Sequence, residues 1–289
     1  MKVQERIETA LDQFLARGES SVAPPRLQEA IRYSVFPGGA RVRPQLVLAV
    51  AAACGDDAPE VSDAAAVAIE MMHCASLVHD DLPCFDGSEL RRGKPSVHAA
   101  FGERLAVLGG DALIVSAFDA LNQGASAHPT RLVALLNILA QGVGVPSGII
   151  AGQAWECEDH IDLAQYQRAK TGALFAAATM AGAAAAGVAH EPWRELGDKL
   201  GEAFQVADDL RDAVSNPEDL GKPVGQDEAL GRPNVVAARG IKGAVSYLKE
   251  LLAEAMASVP ACPGEEALRE LLMKQAAQFL PRELAQEAA

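Results

Sequence analysis

The sequence predicts an all-α fold, a single large helical bundle built around a central cavity. Three observations carry that expectation. Apolar residues recur three and four apart over long stretches, the spacing that gives a helix one buried stripe. No stretch sustains the period-two alternation of β-branched residues that a half-buried strand needs, so no sheet is expected. Aromatic residues make up only 4% of the chain while alanine is abundant, which suits closely packed helices better than a β-sandwich.

The N-terminal run MKVQERIETALDQF reads as an amphipathic helix with charges throughout, not as a signal peptide. Pro24-Pro25 opens the next helix, because proline's missing N–H costs nothing in a first turn. Pro37-Gly38-Gly39 then breaks the chain, and Pro44 suits the first turn of a third helix. Helical spacing follows over Val61–Asp81, Glu103–Gln123, Thr130–Val143, Leu163–Val188 and Trp193–Asp212. A further helix is expected near Asn234–Ser258, and one or two more after Pro263. Helices of this length belong in a large bundle. The uncharged stretch Ala173–Ala189 is mostly alanine with two glycines, short and only weakly apolar for a membrane span. It is predicted to be a buried helix approached closely by its neighbours, and no membrane span is expected.

The chain has 289 residues and a formal net charge of −14. That sign argues against non-specific binding of nucleic acid or an anionic membrane, both of which need a basic face. At 49% hydrophobic and 22% charged the composition is that of a globular protein with a core large enough to need no staples. The five cysteines form no C-x-x-C pair, a pattern that fits a reducing, cytoplasmic setting.

The chemistry is predicted to lie in two acidic clusters. The first is His79-Asp80-Asp81-Leu82-Pro83-Cys84-Phe85-Asp86, at a helix end that Pro83 terminates. The second is Asp208-Asp209-Leu210-Arg211-Asp212, where helical spacing puts Asp208 and Asp212 on one face with Gln205 and Asp209 alongside. Like charges on one face need a cation or a proton to compensate them. All-oxygen ligands suit Mg²⁺, which takes one or two carboxylates plus substrate phosphates. A single such cluster can equally be a solvated acidic surface. Here each is followed by a basic island, Arg91-Arg92-Gly93-Lys94-Pro95 and Leu220-Gly221-Lys222-Pro223, which together read as a diphosphate clamp. Gly38-Gly39-Ala40-Arg41-Val42-Arg43-Pro44 is a third anion-binding turn.

These motifs, with Lys170-Thr171-Gly172 and Phe204-Gln205 between them, resemble in order and spacing those of the short-chain trans-polyprenyl diphosphate synthases, and most resemble the bacterial geranylgeranyl diphosphate synthases. The resemblance covers about residues 36–234 and implies one polyprenyl synthase domain over 1–289, acting as a homodimer. It implies a Mg²⁺-dependent prenyltransferase, with two or three ions per active site, of the kind found in isoprenoid and carotenoid biosynthesis. The substrates implied are isopentenyl diphosphate and an allylic partner (dimethylallyl, geranyl or farnesyl diphosphate). Asp80, Asp86 and Asp208 resemble the metal ligands, with Asp81, Asp209 and Asp212 in support. Arg91, Lys170, Thr171, Gln205 and Lys222 match residues that hold the allylic diphosphate, and Gln153 is expected to face the first cluster. Arg43, His73 and Arg92 match those that hold isopentenyl diphosphate. His73 lies two turns before Asp80, although a histidine on an Ala/Met-rich helix also reads as a satisfied core residue.

Two positions depart from the family pattern. Ala40 stands where a lysine is usual, so Arg41 or Arg43 is expected to carry that charge. Arg232-Pro233-Asn234 replaces a Lys-x-Thr run, with Arg232 keeping the cation. Product length is expected to follow from Ala75, five positions before Asp80, where farnesyl diphosphate synthases commonly carry an aromatic floor. Ala75 leaves room for a C20 product, with Met71 and Met72 as a deeper floor; the C15 farnesyl product is the alternative. A terpene cyclase would need no second diphosphate site, and a non-catalytic subunit would be expected to have lost one cluster.

Overall fold

The computed structural model describes residues 2–19, 21–214 and 234–276. Helices α1 (Val3–Gly18), α2 (Pro25–Val35), α3 (Val42–Ala53) and α4 (Pro59–Asp80) open the chain. They are followed by α5 (Val97–Phe101), α6 (Glu103–Ala125), α7 (Pro129–Val143) and α8 (Ile149–Ala154). Next come α9 (Leu163–Gln167), a π-turn over Arg168–Gly172 and α10 (Ala173–Ala185). Last among the described residues are α11 (Arg194–Val214), α12 (Val235–Ala257) and α13 (Glu265–Ala276).

The helix starts follow local chemistry. Prolines occupy the first turns of α2, α4 and α7, and Asn234 caps α12 by accepting from Ala237 N at 2.7 Å. One expectation needs correcting: a two-residue antiparallel hairpin pairs β1 (Leu90–Arg91) with β2 (Lys94–Pro95). It is too short to show any periodicity, and its turn rests on Arg92 and Gly93, both at positive φ. The other correction is to Leu163–Val188, which is interrupted by the π-turn and ends at Ala185.

The core lies around α4 and α10. Apart from its first residue, α10 is buried on every side, wedged among α3, α4, α7 and α11. Its small side chains let backbones touch: a Cβ on Gly182 would stand 2.5 Å from Val47 O on α3. Among the described residues two helices, α4 and α6, are long and apolar enough to cross a membrane by length and composition. The apolar window of α4 is 78% buried and that of α6 only 39%, so α6 keeps an apolar face uncovered.

Candidate active site

The first acidic cluster sits where α4 stops. Beyond Asp80 the chain folds back on itself: Phe85 N and Gly87 N donate to Leu82 O, and Asp86 N donates to Asp80 O at 3.0 Å. This return explains the spacing, because it sets the Asp86 side chain beside Asp80. The second cluster rides on α11, which faces the end of α4 across a pocket of about 260 Å³. Asp80 and Asp86 line it from one side, and Asp208, Asp209 and Asp212 from the other. Arg43, His73, Arg91, Gln153, Lys170, Thr171 and Gln205 complete the polar wall. Helices α3, α4, α8 and α11 and the π-turn thus bring together most of the residues marked in the sequence.

The two aspartate pairs are each tied to a neighbouring element through their second member, although Asp209, unlike Asp81, also lines the pocket. Asp80 faces the pocket, whereas Asp81 is 2% exposed and accepts a forked pair of hydrogen bonds from Arg91. That contact holds the Arg91 side chain in place. Asp208 lines the pocket beside Arg211 at 3.4 Å. Asp209 is also 2% exposed; its Oδ1 accepts from Gln205 and its Oδ2 accepts from Val235 N at 2.8 Å, at the start of α12. Asp81 is therefore committed to positioning Arg91, and Asp209 ties Gln205 and the start of α12 while it lines the pocket.

Burial pushes the Asp80 carboxyl above the usual carboxylate range, and the Lys170 ammonium 3.3 Å away opposes the shift. Lys170 Nζ also donates to Glu156 Oε1 at 2.5 Å, the same oxygen that accepts from Tyr166 OH at 2.6 Å. Gln153 donates to the other oxygen of Glu156 at 3.1 Å. The π-turn that carries Lys170 is pressed against α8 at Gly152, where a Cβ would lie 2.3 Å from Lys170 N. Thr171 donates to Gln205 at 3.0 Å, joining the π-turn to α11.

Burial lowers Arg43 to about 10, with Arg92 adding repulsion, so it stays charged at neutral pH. Its guanidinium lies 4.5 Å from the Phe175 ring centroid and 5.7 Å from that of Phe204, while its buried Nε has no hydrogen-bond partner. Burial also holds His73 well below the ordinary histidine range, helped by Arg43 and Arg92, so its imidazole is neutral. Arg92 does not line this pocket; it lines a neighbouring cavity that shares Leu77 and Arg91 with it, and it donates to Gly38 O.

Several expectations change. Arg41 does not replace the missing lysine: it is 3% exposed and saturated by Glu8, Glu70 and Val35 O. Its side chain turns into the core because Arg41 adopts the left-handed conformation, φ 48°, just before α3. Ala75, Met71 and Met72 do not line the pocket; they are 2%, 0% and 2% exposed in the core. On α4, Ala75 falls on the stripe between Ala64 and His79, which meet Gly124 and Gly110 of α6. Lys222 and Arg232 lie outside the described residues. The sequence reading missed Glu156, Tyr166, Phe175 and Glu70. Glu156 sits one helical step after Gln153, and Tyr166 four residues before Lys170, spacings that signal shared faces.

Among the described residues, no group of three or more His, Cys, Asp or Glu side chains converges to cage an ion. The donors facing the pocket are nevertheless carboxylate oxygens on opposite walls. That arrangement fits Mg²⁺, which is held by one or two carboxylates and completes its shell with water and phosphate.

The sequence pattern described as polyprenyl synthetase matches residues 24–271. The chain is 56% identical over 285 residues to a geranylgeranyl diphosphate synthase of Cereibacter sphaeroides, covering 99% of both. It is 52% identical over 272 residues to one of Rhodobacter capsulatus, covering 94% of both. Its fold superposes on a Helicobacter pylori geranyltransferase, solved with magnesium and isoprenyl diphosphate, with a TM-score of 0.80. There the identity is 29%, and the match covers 96% of this chain and 97% of that one. With its two aspartate clusters facing one another across a helical bundle and its relatives matched nearly end to end, this chain belongs to the polyprenyl synthetase family.

Proposed function

We propose that this protein is a Mg²⁺-dependent trans-prenyltransferase that condenses isopentenyl diphosphate with allylic diphosphates, with geranylgeranyl diphosphate (C20) as its main product. The observation that carries this reading is the single pocket in which five aspartates stand opposite one another beside Arg43, Arg91 and Lys170. The allylic C–O bond breaks to leave a carbocation and diphosphate; the double bond of isopentenyl diphosphate attacks, and loss of a proton gives the longer chain. Two or three Mg²⁺ ions held by Asp80, Asp86 and Asp208 would supply neutralisation of the departing diphosphate. Arg91, Lys170, Thr171 and Gln205 orient the allylic diphosphate, with Arg91 fixed in advance by Asp81. Arg43, Arg92 and the neutral His73 receive isopentenyl diphosphate; the unpartnered Nε of Arg43 is a donor ready for an oxygen. Phe175 and Phe204 wall that arm with apolar surface, which strengthens its pairing with an anion.

The test is a product analysis with labelled isopentenyl diphosphate and each of the C5, C10 and C15 primers. C20 is expected from all three. Accumulation of C15 with isopentenyl diphosphate in excess would establish the farnesyl alternative, which is favoured by one observation: the pocket does not extend to Ala75.

Ala40 marks a weakened isopentenyl diphosphate site. It is exposed, and its carbonyl is held by Gln45 Nε2 at 2.6 Å. With Arg41 sealed in the core, nothing on this turn except Arg43 offers a charge to that substrate. Ala40→Lys is expected to lower the KM for isopentenyl diphosphate by the equivalent of about 1–2 kcal/mol, one charge-assisted hydrogen bond. An unchanged KM in steady-state assays would show that another cation already fills the place.

The working unit proposed is a homodimer of one catalytic domain. Exposed apolar residues on α6 (Val107, Leu108 and Val115) and Val133 on α7 support it, as a face suited to a second copy. The proposed setting is the cytoplasm, in keeping with five free cysteines, and by resemblance the product supplies carotenoid synthesis.

A further inference from the structure

Glu70 is a carboxylate in the wrong company. It lies on α4, one helical turn before His73, where its neighbours along the helix are alanine, methionine, isoleucine and valine, and it is 2% exposed. Arg41 Nη1 donates to it at 2.6 Å. The same guanidinium donates through Nε and Nη2 to Glu8 of α1 at 2.8 and 3.2 Å, and through Nη2 to Val35 O at 2.6 Å. Arg41 is therefore a spoke that runs inward from the turn over residues 38–43 and ends on a buried acid.

That turn carries the isopentenyl diphosphate arm. Arg43 follows two residues after Arg41 and lies over Phe175, while Arg92 reaches across to Gly38 O. Gly38, Gly39 and Arg41 all have positive φ, so the local backbone has no regular hydrogen-bonded pattern to stiffen it. Of the three arginines, Arg43 is buried against Phe175 with its Nε unpartnered, whereas Arg41 is hydrogen-bonded to a buried carboxylate and a buried carbonyl of the core. Their charges also repel one another, and Glu70 is the buried negative charge that attracts all three. An apolar pair of the same size would usually stabilise a helix core at least as well as a buried ion pair, so stability alone does not account for this one.

We propose that Glu70, acting through Arg41, is a positioning residue for isopentenyl diphosphate: it fixes the turn so that Arg43 and Arg92 converge on that diphosphate. The inference rests on the assignment of Arg43 and Arg92 made under the proposed function. It makes the effect specific to one substrate, because Asp81 fixes Arg91 and Glu156 holds Lys170 on the allylic side without any part played by Glu70.

The test uses Glu70→Gln, the double variant Arg41→Met/Glu70→Met and the marker Arg43→Lys, with both KM values, kcat and Tm measured for each. Glu70→Gln and the double variant are expected to raise the KM for isopentenyl diphosphate by about tenfold or more and to leave the allylic KM within about twofold. The double variant removes both charges at once, so it keeps the experiment decisive if Glu70→Gln alone does not fold. A wild-type KM for isopentenyl diphosphate in the double variant would overturn the proposal. So would a lowered KM in Glu70→Gln, which is the result of simply adding net positive charge, or an equal rise in both KM values, which is general loosening. If Arg43→Lys leaves the isopentenyl diphosphate KM unchanged, the site assignment fails and the inference falls with it. If Arg43→Lys raises that KM and the Glu70 variants do not, only the positioning role is lost.

Discussion

Asp80→Ala and Asp208→Ala are each expected to lower kcat by about a hundredfold to a thousandfold, roughly 3 kcal/mol or more, the loss seen when a preorganised electrostatic stabiliser is removed. The structure adds a contrast within each aspartate pair. Asp80 can be removed without stranding its partner, because Lys170 keeps Glu156 at 2.5 Å, so the Tm should change little. Asp81→Ala instead frees Arg91, and Asp209→Ala leaves Val235 N and Gln205 without their acceptor. These two variants should lose stability as well as rate, by about 1–3 kcal/mol for each buried group left unpaired. Chelation should abolish turnover in the unmodified protein, and Mg²⁺ should restore it. Full activity in excess EDTA, or near-normal kcat in both Asp80→Ala and Asp208→Ala, would return the clusters to acidic surface decoration.

The product of Ala75→Tyr or Ala75→Phe is expected to shift from C20 to C15. Ala75 lies on the stripe where α4 meets α6, and the described pocket touches that helix at His73, Ser76, Leu77 and Asp80 but not at Ala75. A growing tail must therefore part side chains that are close-packed in its absence. Alanine at position 75 makes that parting cheap, since no ring has to leave. An aromatic ring there resists it, and overfilling a packed apolar site costs about 1–3 kcal/mol, enough to favour the shorter tail by about fivefold or more. Tm must be measured in parallel, because the same ring can strain the α4–α6 contact. A stable Ala75→Tyr enzyme that still releases C20 would show that the tail leaves by another route.

The long helices were legible because their ends are written in side chains. The stretch expected as Val61–Asp81 runs Pro59–Asp80, and Thr130–Val143 runs Pro129–Val143, each moved by a proline that belongs inside the first turn. The residue types of the site were legible too, since carboxylates beside arginines have few bland explanations in an acidic protein. What residue chemistry alone could not reveal was which partners hold the second aspartate of each pair: Asp81 turns away from the pocket to Arg91, while Asp209 lines the pocket and also ties Gln205 and Val235 N. Asp80 and Asp81 are chemically identical, and only the fold shows that Arg91 claims the second. Arg41 and Arg43 pose the same problem: two arginines on one turn, of which a single left-handed backbone conformation sends one inward. Glu70 was hidden for the opposite reason. A lone acid in a helix of small apolar residues reads as an exposed position until a cation from another element is seen to reach it.

The π-turn at Arg168–Gly172 affects how relatives of this chain can be compared. A π-turn holds one residue more than the α-turn it replaces. The helical course from Leu163 to Ala185 therefore changes frame at Lys170, and positions before and after the turn obey different phases. Deleting any one residue between 168 and 172 would let ordinary α-helical bonding run through. Because α10 is wedged among α3, α4, α7 and α11, the slack would be taken up by α9, turning Tyr166 by about 100° away from Glu156. A one-residue alignment gap at this point is thus a rotation of the active-site wall, and Tyr166 cannot be matched across it by counting.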